Sequence, residues 1–203
     1  MFNLGAFLSY AIVVTFTPGP NNILSMVNAG KTGYKRTLNF LLGIALGFFI
    51  LMLLCSFFNK MLFTVLPQMQ FAMSIIGTAY MLYLAFKISG LHFSFGHKIS
   101  AKSQKSNSIN NFQTGFAMQF VNPKVILYGI TIISNFIMPY YSTTASLFLF
   151  SAFLALLAFL AVSCWALFGT MFNQFLSRFE KPFNLAMSLM LVYSALTISG
   201  ILH

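Results

Sequence analysis

Residues 17–22 read Thr-Pro-Gly-Pro-Asn-Asn, and they lie inside an apolar segment that runs from residue 4 to residue 28. The segment contains no charged side chain, and the first one after it is Lys31. A proline inside a helix removes a backbone donor and clashes with the preceding turn, which costs about 3 kcal/mol. Two prolines around a glycine therefore predict an opened helix. Within a membrane, the bared backbone groups are tolerated where they are buried in protein or line a water-filled cavity.

This interruption has two interpretations. One is a proline kink whose freed backbone groups are satisfied by neighbouring helices, which is the usual case for a lone proline. The clustering of polar side chains at the same spot favours a broken transmembrane helix whose gap is a binding site. The candidate binding residues of this stretch are Thr17, Pro18, Gly19, Pro20, Asn21 and Asn22.

The composition is that of a multi-pass membrane protein. Of the 203 residues, 59% are hydrophobic and only 6% are charged, whereas soluble domains carry about 25% charged residues. The net charge of +10 could suggest a nucleic-acid partner. The basic residues lie almost entirely in short loops between apolar runs, so membrane topology explains them and no nucleic-acid partner is expected.

Six apolar stretches are long enough to cross a hydrocarbon core of about 30 Å as helices. They are residues 4–28, 37–58, 66–88, 112–136, 144–172 and 182–202. The second contains Gly43-x-x-x-Gly47, a spacing that lets another helix approach closely. We therefore predict an all-α membrane protein with six transmembrane helices in one transporter domain, residues 1–203.

The basic residues predict the orientation. The first, third and fifth loops hold nine of them, namely Lys31, Lys35, Arg36, Lys87, Lys98, Lys102, Lys105, Arg178 and Lys181. The second loop holds only Lys60, and the fourth holds none. Because cytoplasmic loops carry the excess of Lys and Arg, both termini are predicted to lie outside.

A polar linker, residues 90–111, divides the chain into a first half, 1–89, and a second half, 112–203. Each half has three predicted helices, so the second half must be inserted in the opposite sense, as in many secondary transporters. The fourth helix carries Asn122-Pro123 in mid-span, which matches the interruption of the first helix. Interrupted helices at corresponding places in two halves are a pointer to a transport site.

Lys124 follows that second interruption, twelve residues after the predicted start of its helix. At 1.5 Å per residue this is roughly 18 Å, near the middle of the membrane. A charge there costs about 2.5–3.5 kcal/mol or more, and the sole acidic residue, Glu180, lies in a loop. The alternative is a helix that starts near Met118, from which Lys124 would snorkel to the cytoplasmic face. We favour a functional lysine.

A functional Lys124 needs an anion, which a substrate carboxylate can supply. The free amides at the half-helix N-termini after Pro20 and Pro123 would help, and unwound carbonyls with Asn or Gln side chains could hold an ammonium group. These needs favour a small neutral amino acid. Lys124 is also a candidate proton-coupling group, because an amine held away from water can release its proton. The candidates in this helix are Gln119, Asn122, Pro123, Lys124 and, on the same helix face, Tyr128.

Two stretches resemble the signatures of the LysE/RhtB-type amino-acid exporters. They are Thr-Pro-Gly-Pro-Asn at 17–21 and Gly-Phe-Ala-Met-Gln-Phe-Val-Asn-Pro-Lys at 115–124. The resemblance covers essentially the whole chain and is closest to the cysteine and O-acetylserine exporter branch, through residues 47–55, 126–129, 164–169 and 191–193. It implies a proton-driven efflux carrier in the inner membrane, and it makes a homodimer one candidate for the oligomeric state. Many members carry an acidic residue directly after the helix-two glycine pair, where this chain has Phe48.

Other function classes fit less well. An intramembrane enzyme needs a nucleophile with a base, or clustered metal ligands. The histidines His92, His97 and His203 lie outside the predicted helices, so no catalytic residue, metal or other cofactor is predicted. A passive channel usually shows rings of charge or a symmetric carbonyl filter. An inverted arrangement with a central broken site suits alternating access better.

Overall fold

The structure is a computed structural model that describes residues 2–59, 111–172 and 180–198, with positions 75, 78, 79, 82, 83, 85 and 86 between them. Helices and their connections make up these parts of the chain, with no strand among them. The helices are α1 (Leu4–Phe16), α2 (Pro20–Thr32), α3 (Tyr34–Phe57), α4 (Phe112–Val121), α5 (Pro123–Ile132), α6 (Thr144–Met171) and α7 (Glu180–Ile198). A π-helical segment, Ile133–Ile137, extends α5.

Within the described ranges, α3 and α6 are long and apolar enough to cross a membrane. The pair α4 and α5, with its π-helical extension, counts as a third span that is bent by 64°. These elements correspond to the second, fifth and fourth predicted spans, and the chain is a multi-pass membrane protein. Most of the third predicted span and the linker at 90–110 lie outside the described residues.

Glycines bring α3 and α4 into close contact. A Cβ atom at Gly43 would collide with the carbonyl of Phe112, and one at Gly47 would lie 2.7 Å from the carbonyl oxygen of Phe116. In return, a Cβ atom at Gly115 of α4 would collide with the carbonyl of Phe40. The close approach predicted from the Gly43 and Gly47 spacing is therefore confirmed, and α4 is the partner helix.

The buried apolar side chains form two clusters. One contains residues of α1, α5, the second half of α3 and the first half of α6. The other contains residues of α2, α4, the first half of α3 and the second half of α6. The chain therefore passes from one cluster to the other at the α1–α2 break and again at the α4–α5 break, which places both breaks between the clusters.

Candidate functional site

Both predicted interruptions are confirmed as helix breaks. The first helix ends at Phe16, and α2 begins at Pro20, preceded by Gly19 in an extended conformation. In the second break a single residue, Asn122, separates α4 from α5. In both cases a proline occupies the first position of the new helix, where its missing N–H is not needed.

Amide side chains join the two breaks. The side-chain nitrogen of Asn122 donates to Oδ1 of Asn21 over 3.2 Å, and that of Asn21 donates to Oε1 of Gln119 over 2.8 Å. Gln119 donates in turn to the carbonyl of Gly115 over 2.9 Å. We call Asn21, Gln119 and Asn122 the amide cluster. Because Gln119 and Asn122 are almost fully buried, these bonds keep polar groups satisfied inside the protein.

The backbone carbonyl groups at the C-terminal end of α1 also have hydrogen-bond donors. Each backbone carbonyl from residue 13 to residue 18 accepts a hydrogen bond from a protein donor. The side-chain nitrogen of Asn22 donates to the carbonyl oxygens of Thr15 and Thr17 at 2.9 and 2.8 Å. The Trp165 indole nitrogen donates to the carbonyl oxygen of Phe16 at 3.1 Å. The binding of an ammonium group by these carbonyls stays a prediction, because each of them already accepts one hydrogen bond in this conformation. A substrate would have to use their second lone pairs or displace a donor.

The amine of Lys124 is one of these donors. Its Nζ lies 2.9 Å from the carbonyl oxygen of Thr17, 3.0 Å from the Thr17 hydroxyl and 3.4 Å from the carbonyl oxygen of Pro18. The C-terminal end of a helix carries partial negative charge, so it attracts a cation. In this conformation carbonyl dipoles at the end of α1 accept from the amine, and an anionic substrate partner for Lys124 stays a prediction.

The alternative placement of Lys124 is contradicted. Snorkelling to the cytoplasmic face required a helix that starts near Met118, but α4 starts at Phe112. The lysine side chain instead crosses to the first break, and Gly19 gives it room. A Cβ atom at residue 19 would lie 3.0 Å from Cδ and 3.1 Å from Nζ of Lys124.

The two half-helix N-termini differ. The side chain of Asn122 caps α5 by accepting from the Lys124 amide over 3.1 Å. No side chain caps α2, whose first residues line the cavity described next. The uncapped N-terminus of α2 therefore offers backbone amides to an anion. At the N-terminus of α5, by contrast, the Asn122 side chain already accepts from a backbone amide.

A cavity of about 40 Å³ lies beside the breaks. Seven predicted residues line it, namely Gly19, Pro20, Asn21, Asn22, Asn122, Lys124 and Tyr128. Its remaining walls are Val14, Thr15, Ile44, Phe48, Val125, Ala158 and Val162. The volume suits a few water molecules.

Four predicted residues contribute from outside the cavity wall. Thr17 and Pro18 are exposed and reach the site through their bonds to Lys124. Gln119 and Pro123 are buried behind the wall. Thr15 lines the cavity but is not among the residues predicted from the sequence. A polar side chain in an apolar helix, two positions before the interruption, was the available signal.

Metal chemistry finds no support in the described ranges, which contain no group of three or more His, Cys, Asp or Glu side chains that could hold an ion. Cys55 is buried and Cys164 exposed, and both are free thiols. The three histidines lie outside the described residues.

Comparison with known proteins gives the family. Residues 12–199 match the LysE-type translocators. The chain belongs to the LysE-type translocator family. This LysE-type translocator is therefore a transport protein and not an enzyme.

Relatives of this LysE-type translocator include proteins named cysteine/O-acetylserine efflux protein from Escherichia coli strain K12, Escherichia coli O1:K1 and Shigella flexneri. Each is 35% identical to the chain over 195 residues, which cover 96% of both chains. No solved structure matches the chain.

Proposed function

We propose that this protein exports small neutral amino acids across the inner membrane as a secondary-active carrier. The observation that carries the proposal is the meeting of two helix breaks at one cavity, with the Lys124 amine bonded across from one break to the other. The relatives' name, cysteine/O-acetylserine efflux protein, supports an amino acid as the substrate. A homoserine- or threonine-like substrate fits the same chemistry.

The site has complementary groups for both ends of an amino acid. The substrate carboxylate binds the Lys124 amine beside the uncapped end of α2, where charge and backbone amides act together. The ammonium group binds carbonyl and amide oxygens of the breaks, including those of Thr17 and Pro18 that the lysine releases. This exchange lets the carboxylate replace the acceptors that hold Lys124 in the present conformation.

The acidic content of the chain favours neutral substrates. A side-chain cation such as that of lysine or arginine would need a carboxylate partner. Glu180, the sole acidic residue of the chain, is the first residue of α7. The residues of the site can pair with the one carboxylate and the one ammonium group of a neutral amino acid.

Proton coupling is assigned to Lys124 in this proposal. Phe48, at the position where many family members carry an acidic residue, lines the cavity and is buried. The site therefore holds an amine rather than a carboxylate as its exchangeable proton carrier. One transport cycle would move a proton to or from Nζ as the substrate carboxylate leaves or enters.

The proposed architecture comprises six spans in two inverted halves, 1–89 and 112–203, joined by a cytoplasmic linker at 90–111, with both termini outside. The passage of both broken helices between the same two apolar clusters supports this symmetry. A homodimer stays a prediction, which the molar mass of the detergent-purified protein tests.

Counterflow in proteoliposomes tests the proposal. A panel of unlabelled amino acids is competed against radiolabelled L-cysteine, which is kept reduced. Small neutral amino acids should compete, whereas lysine and arginine should not. Uphill export that an uncoupler abolishes would support a proton-driven carrier. Passive equilibration that the uncoupler leaves unchanged would favour the competing function, a channel, and would contradict the carrier.

A further inference from the structure

Two hydroxyl groups at the cavity, those of Thr15 and Tyr128, make no hydrogen bond to any other described residue. The hydroxyl oxygens of Thr15 and Tyr128 are buried, and neither makes a hydrogen bond of acceptable geometry with the described part of the chain. Both residues line the cavity, and the two lie close to one another. Buried polar groups are nearly always hydrogen-bonded, so these two hydroxyls at the cavity wall are placed to bond a ligand or water.

The Tyr128 hydroxyl is held in place by its ring. That ring stacks on Tyr10, with the ring centres 5.9 Å apart and the planes 4° from parallel, and it contacts Phe48 at 5.8 Å. The residue is only 4% exposed, so the side chain cannot swing to another partner without disturbing this stack. The Thr15 backbone is likewise fixed, since its carbonyl accepts from Asn22.

Tyr128 lies near Lys124 on the same helix. It follows Lys124 by four residues on α5, about one helical turn, so both side chains leave the same face of the helix, and both line the cavity. The surrounding wall is apolar, with Val14, Val125 and Ala158.

We infer that Thr15 and Tyr128 bind the polar atom of the substrate side chain and so determine which amino acids are carried. This inference rests on the proposed function and assigns the part of the substrate that Lys124 does not hold. Hydroxyls both donate and accept, so the pair suits a neutral side chain with one oxygen or sulfur atom, such as a hydroxyl or thiol. An aliphatic side chain would displace water from the hydroxyls and leave them unpaired.

The test compares L-serine with L-alanine, which differ by one hydroxyl. Binding of each radiolabelled amino acid to the detergent-purified protein is measured by scintillation proximity, and counterflow is measured in parallel. The wild type should bind serine about tenfold more tightly than alanine, the size expected for one well-placed hydrogen bond. Tyr128→Phe and Thr15→Val should each lower this ratio toward one, mainly by weakening serine binding.

Two matched variants serve as controls. Tyr10→Phe removes a hydroxyl from the ring stacked on Tyr128 but outside the cavity wall, and it should keep the wild-type ratio. Thr15→Ser keeps a hydroxyl and should restore most of the preference that Thr15→Val loses. Elution as a single species in gel filtration identifies variants that fold.

The outcomes separate the two proposals. A wild type without preference for serine, or a ratio that survives in both Tyr128→Phe and Thr15→Val, overturns the hydroxyl assignment and leaves amino-acid export standing. Equal loss of serine and alanine in either variant also overturns it, because a structural role would explain that loss. A wild type that binds no amino acid of the panel removes the proposed function and this inference with it.

Discussion

Nζ of Lys124 donates a hydrogen bond to the backbone carbonyl oxygen of Thr17 over 2.9 Å, although 107 residues separate them in the chain. The bond joins the start of one half-helix to the end of another. The bond satisfies a carbonyl that the interrupted helix leaves without its helical partner, and it gives the half-buried amine an acceptor. A ligand that competes for the amine must therefore loosen the contact between the breaks.

Gly19→Ala should impair transport while preserving the fold. The backbone of Gly19 is extended, with φ −170°, which alanine adopts freely. The added methyl group would lie 3.0 Å from Cδ of Lys124 and push the amine away from the first break. We expect the counterflow rate to fall severalfold, because a shift of a few tenths of an ångström already moves the amine from the position in which it would meet the substrate carboxylate.

Gly5→Ala is the matched control for this variant. An added Cβ there would meet only Asn3 Oδ1, at an ordinary 3.6 Å, so transport should be unchanged. Wild-type counterflow kinetics in folded Gly19→Ala would show that the lysine position is not critical.

Asn21→Ala and Asn122→Ala should each raise the substrate concentration needed for half-maximal counterflow. Asn21→Ala removes the side chain that bonds both Gln119 and Asn122, and Asn122→Ala removes a donor to Asn21 and the cap of α5. Each variant should therefore also lower the free energy of unfolding by about 1–3 kcal/mol. The double variant should lose less than the sum of the single losses, because the two side chains share one hydrogen bond.

An exposed asparagine of α3, Asn39, provides the comparison, and Asn39→Ala should leave transport and unfolding unchanged. Additive effects of Asn21→Ala and Asn122→Ala would contradict a bond between them. Unchanged transport kinetics in both would place the site elsewhere.

Gly115→Ala should destabilise the packing of α3 against α4. Its Cβ would collide with the carbonyl of Phe40, a backbone atom that cannot rotate away. We expect the free energy of unfolding to fall by about 1–3 kcal/mol, measured as a lower denaturation midpoint in detergent. The same midpoint in wild type and variant would mean that the two helices do not approach as closely as described.

The prolines and the lysine could be located from the sequence because local rules govern them. Pro20 and Pro123 cannot continue a preceding helix, so the break positions follow from chain chemistry alone. The start of α4 at Phe112 agrees with the predicted start of the fourth helix, whereas the depth of Lys124 in the membrane stays a prediction. The tight contact at Gly43 and Gly47 was likewise visible as a spacing, although its partner helix was not.

The partners of the polar groups could not be predicted in the same way. Whether Lys124 meets a ligand or the carbonyl of Thr17 depends on how two distant segments pack. The unpaired hydroxyl of Thr15 depends on the orientation of α1 toward Tyr128, which sequence spacing does not specify. The two inverted halves stay a prediction, since most of the third span lies outside the described residues.

Counterflow of radiolabelled L-serine in proteoliposomes containing Lys124→Ala tests the central claim most directly, with wild type and Lys35→Ala alongside. Lys35 is an exposed lysine of α3, so Lys35→Ala should exchange serine like the wild type. Removal of the Lys124 amine should cost about 2 kcal/mol or more of substrate binding, roughly a thirtyfold loss. The account predicts that Lys124→Ala reaches the membrane in normal amount and exchanges serine no faster than empty liposomes. Exchange by Lys124→Ala at the wild-type rate would contradict it.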